Sequence, residues 1–430
     1  MWEVRKTGGS YQRPAGGGGR TKIGNRYGAV FVVASTLVAL LCQSRGVASP
    51  VDEAIKAIAD RLAAEQVKVG FEQGSWPQEE LFTGQIIQGL ADAYEQTGVE
   101  DYLSSAELAG YYVLRSAGYE FFGDEALALA RLSSVSDDPN DWVPGTSDNI
   151  WGLSLKMFYA NIKSSPLGTE GYISYFAGVD SSLAVLSLAD YVVAAYSVDA
   201  EDKEIWRHAL VKWLSAVDDD AASYPVMALG AATWALATTG PSLDETVIDP
   251  FGQGASYWKL KKLEDLPGLL LSHQVPADQP DAGAFYWRFD HGNGGIEETE
   301  PSGYTEDAIF ATLGLLGIDS AHPDANDPNL TAAIFTASDV LVGSVSSSGK
   351  VSERLSQGGM RYYVYGAEML RVLSQVPVPP PDPEAQEPLP SADLAFLGSG
   401  WLESRCVRSS FGIGQFSNKG RMRIQALLAW

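Results

Sequence analysis

Helical hydrophobic periodicity runs almost without a break from residue 51 to residue 376, and it points to an all-α architecture. In LFTGQIIQGLADAYEQTG (81–98), Ile86, Ile87, Leu90, Ala91 and Tyr94 share one stripe, and Gly98 supplies the glycine that ends a helix. Tyr102, Ala106, Ala109 and Val113 mark the next helix; Trp206, Ala209, Leu210 and Trp213 mark a later one. The pattern predicts about twelve helices, near 52–66, 81–97, 101–117, 123–135, 147–163, 178–197, 202–217, 224–239, 261–272, 304–316, 328–344 and 359–375. No strand-type alternation of useful length interrupts them.

The helices alternate in character. Those starting near 81, 178, 224, 304 and 359 are rich in Gly, Ala and Ser, while the others carry more charge or bulky aromatics. Small residues let helices crowd at the centre of a ring, and charged faces suit its outside. Pairs recur about every fifty residues, which suits an open solenoid or a closed ring. A solenoid must cap its terminal helices with polar faces; a ring hides them, and closure is favoured. In its helix pairing and its Gly/Ala-rich inner helices, 51–376 resembles the α/α-toroid group: terpenoid cyclases, prenyltransferase β-subunits, many glycoside hydrolases and polysaccharide lyases. The resemblance implies an (α/α)6 toroid with a central funnel. Fold at this level does not fix function.

The ends differ from this core. Residues 1–28 carry six basic side chains against the single acid Glu3, and AVFVVASTLVALLC (29–42) is apolar throughout. Fourteen residues suit a signal-peptide core better than a membrane span, and GVAS (46–49) offers small residues for cleavage. Residues 1–49 are therefore expected to be an export signal, 50–376 the toroid domain, 377–390 (PVPPPDPEAQEPLP) a proline-rich linker, and 391–430 a degenerate tail. The expected location is secreted or periplasmic, with the membrane touched only through the signal segment. SADLAFLGSGWLES (391–404) resembles one helix of a dockerin repeat but lacks its calcium loop. After cleavage only Cys406 remains, which leaves no internal disulfide and no cysteine-rich metal site. No cofactor or metal is expected. A net charge of −24 argues against nucleic acid as a partner.

In a ring of hairpins, the loops that precede the inner helices open on one rim. The longest, 273–303, contains YWRFDHGNGG (286–295). Aromatic faces flanked by polar groups are what sugar rings need, so the expected partner is a polysaccharide or oligosaccharide. His291 and Tyr286 are candidate bases, Tyr286 with its pKa lowered by Arg288; Arg288 or Asn293 would neutralise a uronate carboxylate. By residue type this set is similar to the constellation of α/α-toroid lyases, which implies β-elimination. Candidate sugar contacts are Trp76, Tyr172, Tyr175, Trp287, Asp290, Tyr304, Glu306 and Arg361.

A hydrolase would instead need two carboxylates, and Glu79, Glu80, Asp180, Asp218, Glu297 and Glu306 are eligible. A third reading is a non-catalytic glycan-binding or scaffold module. A terpenoid-cyclase-like protein is a further alternative, but its D-x-D-D acid is missing: VDDDAA (217–222) does not match. The prenyltransferase zinc set lacks its cysteine. Asp148 and Trp151 lie on the opposite rim, with Asp148 read as a helix cap.

Overall fold

The computed structural model describes residues 49–377 except 118–119, 137–142, 145, 177–180, 221–222, 241, 253–257, 291–294, 297–302, 322–326 and 357. Apart from Ser49 and Pro377, the expected signal segment, linker and dockerin-like tail lie outside the described residues. No described helix is long and apolar enough to cross a membrane.

The described residues form thirteen α-helices: α1 (Pro50–Glu65), α2 (Thr83–Thr97), α3 (Glu100–Ser116), α4 (Gly123–Val135), α5 (Ile150–Ser164), α6 (Gly168–Phe176), α7 (Ser181–Ser197), α8 (Lys203–Asp220), α9 (Val226–Thr238), α10 (Leu266–Ser272), α11 (Thr305–Ala321), α12 (Pro328–Ser344) and α13 (Tyr363–Leu373). Local signals set their ends. Ser49 and Asp52 form a capping box at the start of α1, with Pro50 in its first turn. Gly98, at φ 68°, ends α2 and donates its N–H to the Tyr94 carbonyl at 2.7 Å. Asn149, not Asp148, caps α5 by accepting from Gly152 N at 3.0 Å; Asp148 pairs with Lys156 at 2.7 Å.

Six helices make a closed inner ring. α2 packs on α4, α4 on α7, α7 on α9, α9 on α11, α11 on α13, and α13 returns to α2. The alternate helices α1, α3, α5, α8, α10 and α12 lie outside them, so the fold is the (α/α)6 toroid. α9 has no polar face: eleven of its thirteen residues are buried, which suits only an element covered on all sides. Glycine permits the crowding. A Cβ on Gly230 would lie 2.2 Å from the Phe310 carbonyl oxygen of α11, and one on Gly89 would lie 2.4 Å from the Ala367 carbonyl oxygen of α13. Glu79 joins the two ends of the ring, its carboxylate accepting from Tyr363 N at 2.6 Å and Val364 N at 2.9 Å, the orphan donors that open α13.

Three details depart from the sequence expectation. The segment 165–177, expected to be a loop, contains α6. The helix expected at 261–272 starts at Leu266, because β3 (Lys261–Lys262) pairs antiparallel with β2 (Thr246–Ile248) and Leu263–Asp265 form a 3-10 turn. A second small antiparallel sheet joins β1 (Ser223–Pro225), β4 (Arg288–Asp290) and β5 (Gly295–Ile296). These ladders are too short to show as alternation, and pairing rather than propensity sets them.

Candidate active site

Residues 286–290 of the YWRFDHGNGG stretch sit on the predicted rim. Tyr224 of β1 is the backbone register partner of Phe289 of β4, and Val226 N, the first residue of inner helix α9, donates to the Trp287 carbonyl at 3.0 Å. Phe289 packs against His273 with ring centroids 3.5 Å apart, and edge-on to Trp258 at 4.7 Å. Tyr286 is half-buried against the core. The Arg288 guanidinium lies 3.8 Å from the Trp287 ring centroid, which covers one face of that indole. Asp290 is placed in β4 by its backbone. His291 and Asn293 lie outside the described residues.

Other predicted contacts scatter. Trp76 is not a platform: it is fully buried, and its indole N–H donates to the Leu62 carbonyl at 2.9 Å. Tyr172, on α6 rather than a loop, packs edge-on against Phe158 at 6.3 Å and Trp206 at 6.0 Å. Tyr175 is 82% exposed, and Arg361 is exposed before α13. Tyr304 accepts from Arg354 Nη2 at 2.6 Å and carries that guanidinium over its ring. Glu79, eligible as a catalytic acid, is occupied as the cap of α13. Asp180 and Glu297 lie outside the described residues.

Glu306 belongs to a different assembly. It stands in the first turn of α11, half-buried. Its charge acts on Glu368 of α13, which also feels Asp190 of α7 and Asp124 of α4. α13 and α7 are not neighbours in the ring, so the 3.5 Å contact of Arg371 with Asp190 crosses its axis, and Glu368 stands one turn before Arg371 on the same helix. Burial pushes Glu368 well above the usual carboxylate range; Glu306 adds to the rise and Arg371 opposes it. Burial raises Glu306, and Glu353, from the hairpin before α13, raises it further. Asp124 is pushed well up by burial, then by Glu125 and Asp190. Burial also raises Asp190, against the pull of Arg371 at 3.5 Å. Asp307, beside Glu306, is raised by burial and by Glu306. Tyr365 is raised by burial and by Glu306, so it remains a neutral donor.

The cluster is not sealed. Glu306, Asp124, Glu125 and Asp190 keep part of their surface accessible, while Glu368 is 4% exposed and its Oε2 has no hydrogen-bond partner. The first-turn positions of Asp124 and Glu306 put them at the loop rim. The arrangement places a carboxyl that retains its proton near carboxylates that can ionise, the minimum set for acid–base chemistry. No group of three or more His, Cys, Asp or Glu able to hold a metal occurs among the described residues. At the opposite rim, a cavity of about 790 Å³ opens among the C-terminal ends of the inner helices.

Sequence reasoning named Glu306 among its candidates but did not single out Asp124, Asp190, Glu353 or Glu368. A signal existed for three of them. Each is the sole acid or acid pair in an inner helix made mostly of Gly, Ala and apolar residues, as in GAEMLRVL and SLADYVV. A helix covered on every outward face can direct a charge only toward the axis.

No protein-family model matches the chain, and no curated protein matches it. Among solved structures it is similar to an α-1,6-mannanase from Salegentibacter sp. HEL1_6, at 12% identity and TM-score 0.48, covering 76% of this chain and 98% of that one. It is also similar to a cellobiose 2-epimerase from Bacillus thermoamylovorans B4167, at 14% identity and TM-score 0.43, covering 69% and 87%. A type II terpene cyclase from Scytonema aligns at 13% identity and TM-score 0.43, covering 76% and 97%. The toroid is established by its own closed ring.

Proposed function

We propose that the protein is an exported glycoside hydrolase that cleaves a neutral oligosaccharide or polysaccharide on the axis of the ring, with Glu368 as general acid and Glu306 as its carboxylate partner. The observation that carries this reading is that Glu306 of α11 acts on the buried Glu368 of α13, together with the unequal settings of the two groups. Glu368 lies mid-helix and 4% exposed, where the neutral form is favoured. Glu306 lies in the first turn of α11, where the helix dipole favours the anion, and it keeps contact with water. Glu368 would protonate the leaving oxygen; Glu306 would attack the sugar or activate water.

The acid-rich axis also speaks against the β-elimination reading. A uronate substrate needs its carboxylate neutralised, whereas Arg371, the axial arginine, is already paired with Asp190. An apolar prenyl chain is equally unsuited to a wall of ionisable groups, which counts against terpenoid cyclisation.

The test is reducing-end release from a panel of neutral glycans by the wild type, Glu306→Gln and Glu368→Gln. Turnover of at least one glycan is expected, with each variant losing about 10²–10⁴-fold. Binding without turnover would leave the non-catalytic module instead. Turnover retained in both variants would remove the axial acids from the mechanism.

A further inference from the structure

The cavity at the C-terminal rim shares Arg371 with the axial cluster, but neither proposed catalytic acid lines it. We propose that it is a second binding site, for a neutral, hydroxyl-rich molecule of mono- to disaccharide size. Its volume of about 790 Å³ lies within the range of small-molecule pockets.

Charge narrows the ligand class. The lining holds two arginines and two acids, Arg131, Arg371, Asp92 and Glu95. Both arginines are engaged. Arg131 hydrogen-bonds Asp92 and lies 2.7 Å from Glu95. Arg371 pairs with Asp190 and lies 5.0 Å from the centroid of the Trp234 ring. An ionic ligand of either sign would enter without a free counter-charge, which is costly. The helix ends add carbonyl oxygens and the negative end of their dipoles, so they oppose an anion and welcome hydroxyl donors.

Neutral polar side chains supply the second argument. Gln96, Thr238, Ser320 and Gln375 line the cavity at exposed positions, from the C-terminal ends of α2, α9 and α11 and from just past α13. Amide and hydroxyl groups of this kind donate and accept without charge, which suits a ligand that brings O–H groups. Trp234, 9% exposed, offers apolar wall for sugar C–H bonds.

The test is saturation-transfer NMR on the full chain with maltose, cellobiose and trehalose, and with glucuronate as the anionic control. Thr238 and Ala321 line the cavity at exposed positions, so Thr238→Trp and Ala321→Trp should fold and block the entrance; an unchanged Tm checks this. At least one neutral disaccharide should show transfer, weakened about tenfold or more in both tryptophan variants and retained in Glu306→Gln. Glucuronate should show none. The proposal is overturned by absence of transfer from all three disaccharides, by transfer that survives both tryptophan variants, or by stronger transfer from glucuronate. Loss of transfer in Glu306→Gln would also overturn it, by moving the sugar to the axis. The proposed hydrolysis can fail without affecting any of these readings.

Discussion

Glu368 is an acid on a helix that has almost no polar face, and the cost of holding it there should appear as a pH dependence of stability. In the folded chain Asp124, Asp307 and Glu368 all hold their protons more tightly than at the ordinary values of 3.8 for Asp and 4.5 for Glu. The folded state thus binds more protons than the unfolded one above those values. The contribution of these groups is complete below them and declines as pH rises through the folded pKa values. The melting temperature should therefore fall as pH rises above the ordinary Glu value of 4.5, and Glu368→Gln should flatten the fall. Scanning calorimetry across that range checks it. A melting temperature that climbs with pH, or an identical slope in the variant, would mean that these acids are not buried as described. At this scale the sequence was only partly legible. Glu306 was visible because it sits beside a long rim loop. Asp124, Asp190 and Glu368 were not, because an acid inside a helix is usually a solvated one. Trp76 shows the opposite error: GSWP reads equally well as a platform and as packing, and burial decides.

At the scale of elements, two contacts hold the ring shut. The α9–α11 pair approaches through Gly230, where a methyl group would strike the Phe310 carbonyl oxygen. Backbone cannot yield as a side-chain tip can, so Gly230→Ala should lower stability by about 1–3 kcal/mol despite its better helix propensity. Urea denaturation measures it, and a neutral or stabilising result would contradict the close approach. Glu79 closes the ring where the start of α13 meets the segment before α2. Glu79→Ala strips the cap from two backbone donors and should cost about 0.5–2 kcal/mol, read in the same way. An unchanged midpoint would show that the cap is not formed. Helix positions were legible within a few residues, because each carries an apolar stripe and several carry a glycine or capping stop. α6 was not, because GTEGYISYF reads as a loop of aromatics and takes its helical form by seating Tyr172 against Phe158 and Trp206. The short ladder between β1 and β4 was likewise invisible, being set by a partner some sixty-five residues away.

At the scale of the whole molecule, closure is the consequential fact. It was legible in the alternation of Gly/Ala-rich and charged helices, since a helix without a polar face has to be surrounded. Closure also turns acids from separate helices into one cluster, so the chemistry depends on the ring rather than on any local motif. That dependence explains why no ordered motif marks the site. Leaving-group dependence tests this account most directly, once a glycan substrate is in hand. An aryl glycoside with an acidic phenol needs no protonation to depart, whereas Glu306 is needed for either substrate. The account predicts that Glu368→Gln loses activity on the natural linkage but recovers most of it on the aryl glycoside, while Glu306→Gln recovers none. Equal loss on both substrates in Glu368→Gln, or full activity in Glu306→Gln, would contradict it.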